Sequence, residues 1–180
     1  MSTRVRRPSL SSAQGMTMIE LVVVLFILTT LFVLAAAAVS RARLAANESS
    51  AIGALRTVTK AEFAYAADCG YGNYATSLVV LGQKPPHTAQ GYLNVDLGGQ
   101  PTAQISGYYV TVRRGAGTNI SRDDCMANQT ATGYYAIATP IQVDKTGRRS
   151  FATNQGDAIW QRFGGAPPSE PFGLPAELVH

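Results

Sequence analysis

Residues 16–39 form a run of 24 positions in which Glu20 is the only charged side chain. A helix rising about 1.5 Å per residue crosses a hydrocarbon layer of about 30 Å in roughly 20 residues. The run is therefore long enough to span a bilayer. A carboxylate well inside that layer costs at least about 2.5–3.5 kcal/mol on insertion scales. Something should offset that cost, and the flanking sequence indicates what.

Residues 1–15 are a short polar leader containing Arg4, Arg6 and Arg7 and no acid. Positive charge ahead of a hydrophobic span keeps that end in the cytoplasm. A secretory signal would be cut after its apolar region, at a small-residue site. Here the apolar run is too long for such a signal, and the alanines at 35–38 offer only a weak site. The better cut lies between Gly15 and Met16. It would leave the whole span in the mature chain, with a free amine on Met16 and Glu20 four residues on.

This arrangement resembles the amino-terminal signal of type IV pilins and of their secretion-system relatives, the pseudopilins. The family pattern is glycine, an apolar residue, Thr, two apolar residues, Glu and an apolar run. It is met by Gly15, Met16, Thr17, Met18, Ile19, Glu20 and Leu21 onward. Met16 departs from the more usual Phe, and Ala37 stands where many members carry a helix-kinking proline, so a straighter span is expected. The resemblance implies removal of the leader by a prepilin peptidase on the cytoplasmic side, N-methylation of Met16, and polymerisation through the N-terminal helix. A methylated amine stays cationic. Within one subunit it sits about a helical turn from Glu20, and a neighbour shifted along a filament would present the same amine. That pairing would offset the carboxylate and set the register between subunits. The bland alternative is a glutamate snorkelling to the cytoplasmic headgroups.

Charge has to be read in the light of the leader. The precursor carries 15 basic and 11 acidic residues, a net +4, and three of those positive charges leave with residues 1–15. The mature chain is near neutral. Its remaining arginine pairs, at 41/43, 113/114 and 148/149, form no continuous stripe, so no specific nucleic acid partner is expected.

Beyond the span, residues 40–67 continue with strong helix formers and no proline. Leu44, Ile52, Leu55, Val58, Phe63 and Tyr65 share one face at helical spacing, with Arg56 and Lys60 off it. Gly53 is the weak point of this half, costing about 1 kcal/mol relative to Ala. From Asp68 the texture changes to glycine, tyrosine and short β-type runs. A helical turn is expected at 75–81, and strands at 105–113, 133–139, 148–153 and 158–161. Short connections imply an antiparallel sheet covering the amphipathic half of the helix. Tyr109, Val112, Tyr135, Ile137, Phe151, Ile159 and Trp160 are available for its core. The tail, 164–180, holds Pro167, Pro168, Pro171 and Pro175 and is expected to be loosely ordered. The predicted fold class is α+β, a long N-terminal helix packed by its second half on an antiparallel sheet. This too resembles the pilin fold. The predicted division is leader 1–15, membrane and filament-core helix 16–39, amphipathic helix 40–67, head 68–163 and tail 164–180.

Cys69 and Cys125 are the only cysteines, both in the extracytoplasmic head, where disulfides are permitted. A bridge is the favoured reading, two buried thiols the other. It would enclose about 55 residues and stabilise the head by about 2–4 kcal/mol. No cofactor or catalytic site is expected: His87 and His180 lack ligand neighbours, and no nucleophile–base arrangement can be read. Asp123, Asp124, Asp144 and Asp157 match no single calcium loop, such as the acidic loop of major pseudopilins. Asn47, Asn119 and Asn128 begin Asn-x-Ser/Thr triplets that arise readily by chance.

These features predict a structural filament subunit of the inner membrane, N-terminus cytoplasmic and head periplasmic, later part of an extracellular pilus. Its partners would be copies of itself in a helical filament, the prepilin peptidase, the inner-membrane assembly platform, and membrane lipid before assembly. Two alternatives stand beside this: a major pseudopilin of a type II secretion system in a periplasmic pseudopilus, and a non-polymerising single-span protein with a periplasmic binding head.

Overall fold

A computed structural model describes residues 15–179. The leader arginines and His180 lie outside the described residues. The chain divides into two compact units, the first ending at Ser40 and the second beginning at Arg41.

One helix, α1, runs over Met18–Asp68. It continues unbroken through Gly53, where a Cβ would meet nothing within 4 Å, and through position 37. In the first unit its described side chains are all exposed, among them Met18 at 82% and Val24 at 40%.

In the second unit the helix carries a buried stripe at Glu48, Ala51, Leu55, Val58, Glu62 and Tyr65, which Cys69 continues just past its end. The alternating steps of three and four keep these residues on one face. Phe63, expected on that face, is 41% exposed, and Leu44 and Ile52 are half-buried. The positions sequence reading overlooked are the small alanines at 51, 54 and 61, which let the sheet approach, and the two acids. The helix ends where Cys69 and Gly70 both donate to the Tyr65 carbonyl, at 2.9 and 2.7 Å, and Tyr71 and Gly72 turn to positive φ.

After α1 come β1 (Tyr74–Ala75), α2 (Leu78–Gly82), α3 (Val95–Gly98), β2 (Thr102–Ile105), β3 (Tyr108–Arg114), β4 (Ile120–Asp123) and β5 (Gln129–Ala131). Then follow β6 (Tyr134–Pro140), β7 (Arg149–Asn154), β8 (Trp160–Phe163) and β9 (Glu177–Leu178). All named pairings are antiparallel, in one sheet ordered β2-β3-β6-β7-β8-β9 and a small one ordered β1-β5-β4. The strand expected at 105–113 is cut by a two-residue turn, Ser106 and Gly107, both at positive φ, which follows β2 and returns the chain as β3. The register puts Val110 opposite Ala138 and Ala138 opposite Phe151. These join Tyr108, Val112, Tyr134, Leu55, Val58 and Tyr65 in one core. Tyr109 points the other way and is 42% exposed, so its place in the expected core is corrected to Tyr108. Of the other expected core residues, Val112, Tyr135, Phe151 and Ile159 are buried, and Ile137 and Trp160 half-buried.

The tail is the larger correction. Residues 168–172 pack over the outer face of the sheet, and Val179 reaches the core. Phe172 stacks on Trp160 at 5.4 Å between centroids, and the Tyr135 hydroxyl donates to the Pro168 carbonyl. Glu170 accepts from the Ala116 amide and from Asn154 Nδ2, each at 2.7 Å, and β9 extends the sheet beyond β8. Proline excludes helix and inner strands, but it leaves side chains free to seal an aromatic surface. Covered on both sides, β6 and β7 lose the alternation of a one-sided sheet.

Candidate functional site: the capped apolar helix

Gly15 and Met16 precede the first helical residue and are exposed, and a Cβ on Gly15 would meet nothing within 4 Å. The peptide bond expected to be cut is thus exposed and next to a helix end. Thr17 caps that end. Its Oγ1 accepts from the Glu20 amide at 3.3 Å and its carbonyl from Leu21 at 3.1 Å. Thr-x-x-Glu is half of a capping box, with Glu20 in the first turn, where the helix dipole favours an acid. Sequence reading missed this role for Thr17, although the spacing carries it.

The other polar groups inside the run are self-satisfied. Thr29 donates to the Phe26 carbonyl at 2.9 Å and Thr30 to that of Ile27 at 2.8 Å. Among the described residues, the Glu20 carboxylate has no ion-pair or hydrogen-bond partner. By length and composition α1 is able to cross a membrane, and its apolar window is nowhere buried within the chain. It presents to its surroundings a continuous apolar surface with one acid near its start.

In the head, Cys69 and Cys125 are bonded, with Cα atoms 5.0 Å apart. The bridge joins the exit of α1 to the turn between β4 and β5, and the Cys125 amide donates to the Cys69 carbonyl at 3.1 Å. Asp124 organises that turn. Its carboxylate accepts from Met126 and Asn128 amides, both 2.7 Å, from Asn128 Nδ2 at 3.1 Å and from the Tyr65 hydroxyl at 2.8 Å. Burial pushes its pKa up, but the bonds from Asn128, Tyr65 and Met126 outweigh burial and hold it below the usual carboxylate range.

The four aspartates considered for calcium are not gathered. Asp124 is engaged as above, Asp144 faces Arg148 at 3.6 Å, and Asp123 and Asp157 lie exposed. Among the described residues no group of three or more His, Cys, Asp or Glu is placed to hold a metal ion. His87 lies 2.9 Å from Asp68, whose other oxygen accepts from Tyr92 at 2.6 Å. Asn47 and Asn128, from the chance triplets, are held by hydrogen bonds to Thr146 and to Gln83 and Asp124.

Sequence reading also missed two buried acids on α1. Glu48 accepts from the Arg148 amide and from Arg149 Nε, both 2.9 Å, and from Arg149 Nη2 at 2.5 Å. Glu62, with no exposed surface, accepts from the Ala75 amide at 2.9 Å and leaves Oε1 without a partner. Burial raises its pKa well above the ordinary value, and the Ala75 bond opposes this only in part.

Comparison with protein-family models, with curated proteins and with solved structures finds no match.

Proposed function

We propose that this chain is a structural subunit of a type IV pilus-like filament, trimmed between Gly15 and Met16 by a prepilin peptidase and polymerised through α1. One observation carries the reading: a capped apolar helix segment, exposed at every described side chain, holds a single carboxylate in its first turn, five residues after an open glycine, and that carboxylate has no partner within the described chain. Such a surface is stable only in lipid or against other apolar helices. Both environments require something cationic near Glu20. In the proposed mechanism the subunit waits as a single-pass inner-membrane protein with its head in the periplasm. The assembly platform then draws it out of the bilayer into a bundle of α1 helices. Each Glu20 meets the Met16 amine of a neighbour, which fixes the axial step.

Intact mass and N-terminal sequencing of the protein from membrane and sheared-surface fractions test this. A chain beginning at N-methylated Met16 in the sheared fraction is expected. The same chain confined to the membrane and periplasm would favour the pseudopilus. A chain still beginning at Met1 beside an active prepilin peptidase would sink the filament reading and leave a membrane-anchored domain.

A further inference from the structure

We infer that the head carries a second membrane-contacting surface, a cationic and aromatic base that rests on anionic lipid headgroups while the subunit is in the bilayer. The inference deepens the membrane-subunit reading above and rests on it. The surface lies where α1 enters the second unit. Asn47 Nδ2 donates to the Thr146 carbonyl at 2.9 Å and the Arg148 amide to Glu48 at 2.9 Å, which fixes the β6–β7 loop against the first turns of that half of the helix. Asn47 is six residues beyond Arg41, a rise of about 9 Å.

Four exposed cations gather on this short length, Arg41 and Arg43 on the helix and Lys145 and Arg148 on the loop. Asp144, 3.6 Å from Arg148, is the acid beside them, while Glu48 is engaged by Arg149. Beside the loop the end of β8 is tied down by the Gly164 amide donating to the Arg148 carbonyl at 2.8 Å. That places Phe163, 73% exposed, on the same end of the head as Val143, 44% exposed. An exposed Phe beside Arg and Lys is a combination found at membrane–water interfaces.

The occupant follows from continuity and charge. The apolar run ends at Val39, two residues before Arg41. Headgroups extend roughly 5–7 Å beyond each face of the hydrocarbon core. Surface potential from anionic lipid reaches about a Debye length, roughly 8–10 Å, so the loop cations lie within its field. A second copy would have to bring acidic groups to this end. Lipid phosphate is already present there.

The full-length chain, its native disulfide left oxidised, is reconstituted in phosphatidylcholine vesicles with and without phosphatidylglycerol. An environment-sensitive fluorophore is placed on Phe163→Cys, and as a control on Val95→Cys, which is 81% exposed. The label at 163 should shift to shorter wavelength and be quenched by headgroup-level nitroxide lipid only with phosphatidylglycerol. Salt should reverse the shift, Lys145→Glu with Arg148→Glu should abolish it, and the control should stay aqueous. Chain that floats with vesicles while 163 stays aqueous overturns this inference and spares the membrane reading. A shift of equal size without anionic lipid, or in detergent at raised protein concentration, assigns the surface to a second copy and also overturns it. Chain that does not float overturns both readings.

Discussion

The two halves of α1 are continuous in backbone and opposite in dress. Before Ser40 the helix is apolar in sequence on every side, its described side chains are exposed, and among the described residues its one acid has no side-chain partner. After Arg41 only one stripe is buried, and it holds two acids, each bonded by the head's own chain. A helix apolar all round needs a surrounding apolar phase, whereas an amphipathic one needs a single partner surface. The head supplies that surface to the second half. The first half finds no such surface among the described residues, and neither does Glu20 find a counter-charge there.

The sharpest way to break this contrast is at the acids. Glu20→Leu removes a carboxylate whose burial costs about 2.5–3.5 kcal/mol and with it the proposed register signal. Leaving a neighbour's Met16 amine buried without its partner costs about 3–5 kcal/mol, so subunit in the sheared fraction should fall by about a hundredfold or more. Melting of the head should not change. Wild-type filament yield from this variant would remove Glu20 from the assembly mechanism.

Arg149→Met acts in the other half. It strips the guanidinium from Glu48, whose side chain is 9% exposed, and leaves the Arg148 amide as its remaining partner. Removing one member of a buried pair costs about 3–5 kcal/mol, and adding Glu48→Gln should recover part of it. Urea titration of the mature chain in detergent reads both. A double variant no better than the single would show that packing of the arginine stem matters more than its charge.

Cys69→Ser with Cys125→Ser should lower head stability by about 2–4 kcal/mol and leave membrane insertion unchanged. Reduction with a thiol should lower the melting temperature of the wild type and not of this variant. A smaller effect is expected on the outer face, where Phe172→Ala loses its stack on Trp160, about 1–2 kcal/mol. Cleavage of residues 164–179 by added protease should rise with it. Unchanged cleavage would mean that Glu170 and β9 hold the tail without the aromatic.

How much of this was legible follows from what each segment needs for stability. The apolar span and the disulfide could be read because one is carried by neighbours in sequence and the other by a count of two cysteines. The strand positions of β6 and β7 were also close, since aromatic and β-branched runs declare themselves. What failed was whatever depends on a distant partner. Tyr108 and Tyr109 are chemically alike at that level of reading, and the Ser106-Gly107 turn decides which faces inward. The tail looked unstructured because its prolines were weighed and its surface partners, Tyr135, Asn154 and Trp160, were not. Glu48 and Glu62 were absent from the expected apolar face, since an acid carries no such signal. Arg149 and the Ala75 amide, about 100 and 13 positions away, make them core.

Glu62 gives the smallest and most specific test of the contrast. It is fully buried beside the Tyr65, Tyr74 and Tyr134 phenols, whose own pKa values burial raises, and among the described residues it has no ion-pair partner. Its pKa is raised in the fold above the ordinary 4.5. Between those two values the folded chain holds a proton that the unfolded chain has released. The contribution is therefore fully present below pH 4.5 and declines as pH rises toward the folded value. Asp124 runs the opposite way, since its lowered pKa makes its contribution fade only in acid below its ordinary 3.8. The two windows do not overlap. Glu62→Gln keeps an acceptor for the Ala75 amide and removes the ionisation. From pH 5 to 8 its stability should be flatter than wild type, and above the midpoint of the wild-type decline it should be more stable by about the worth of one hydrogen bond, about 1 kcal/mol. Urea midpoints of both chains across that range decide the matter. Parallel slopes would mean that the wild-type carboxylate is already charged in the core and finds a partner there.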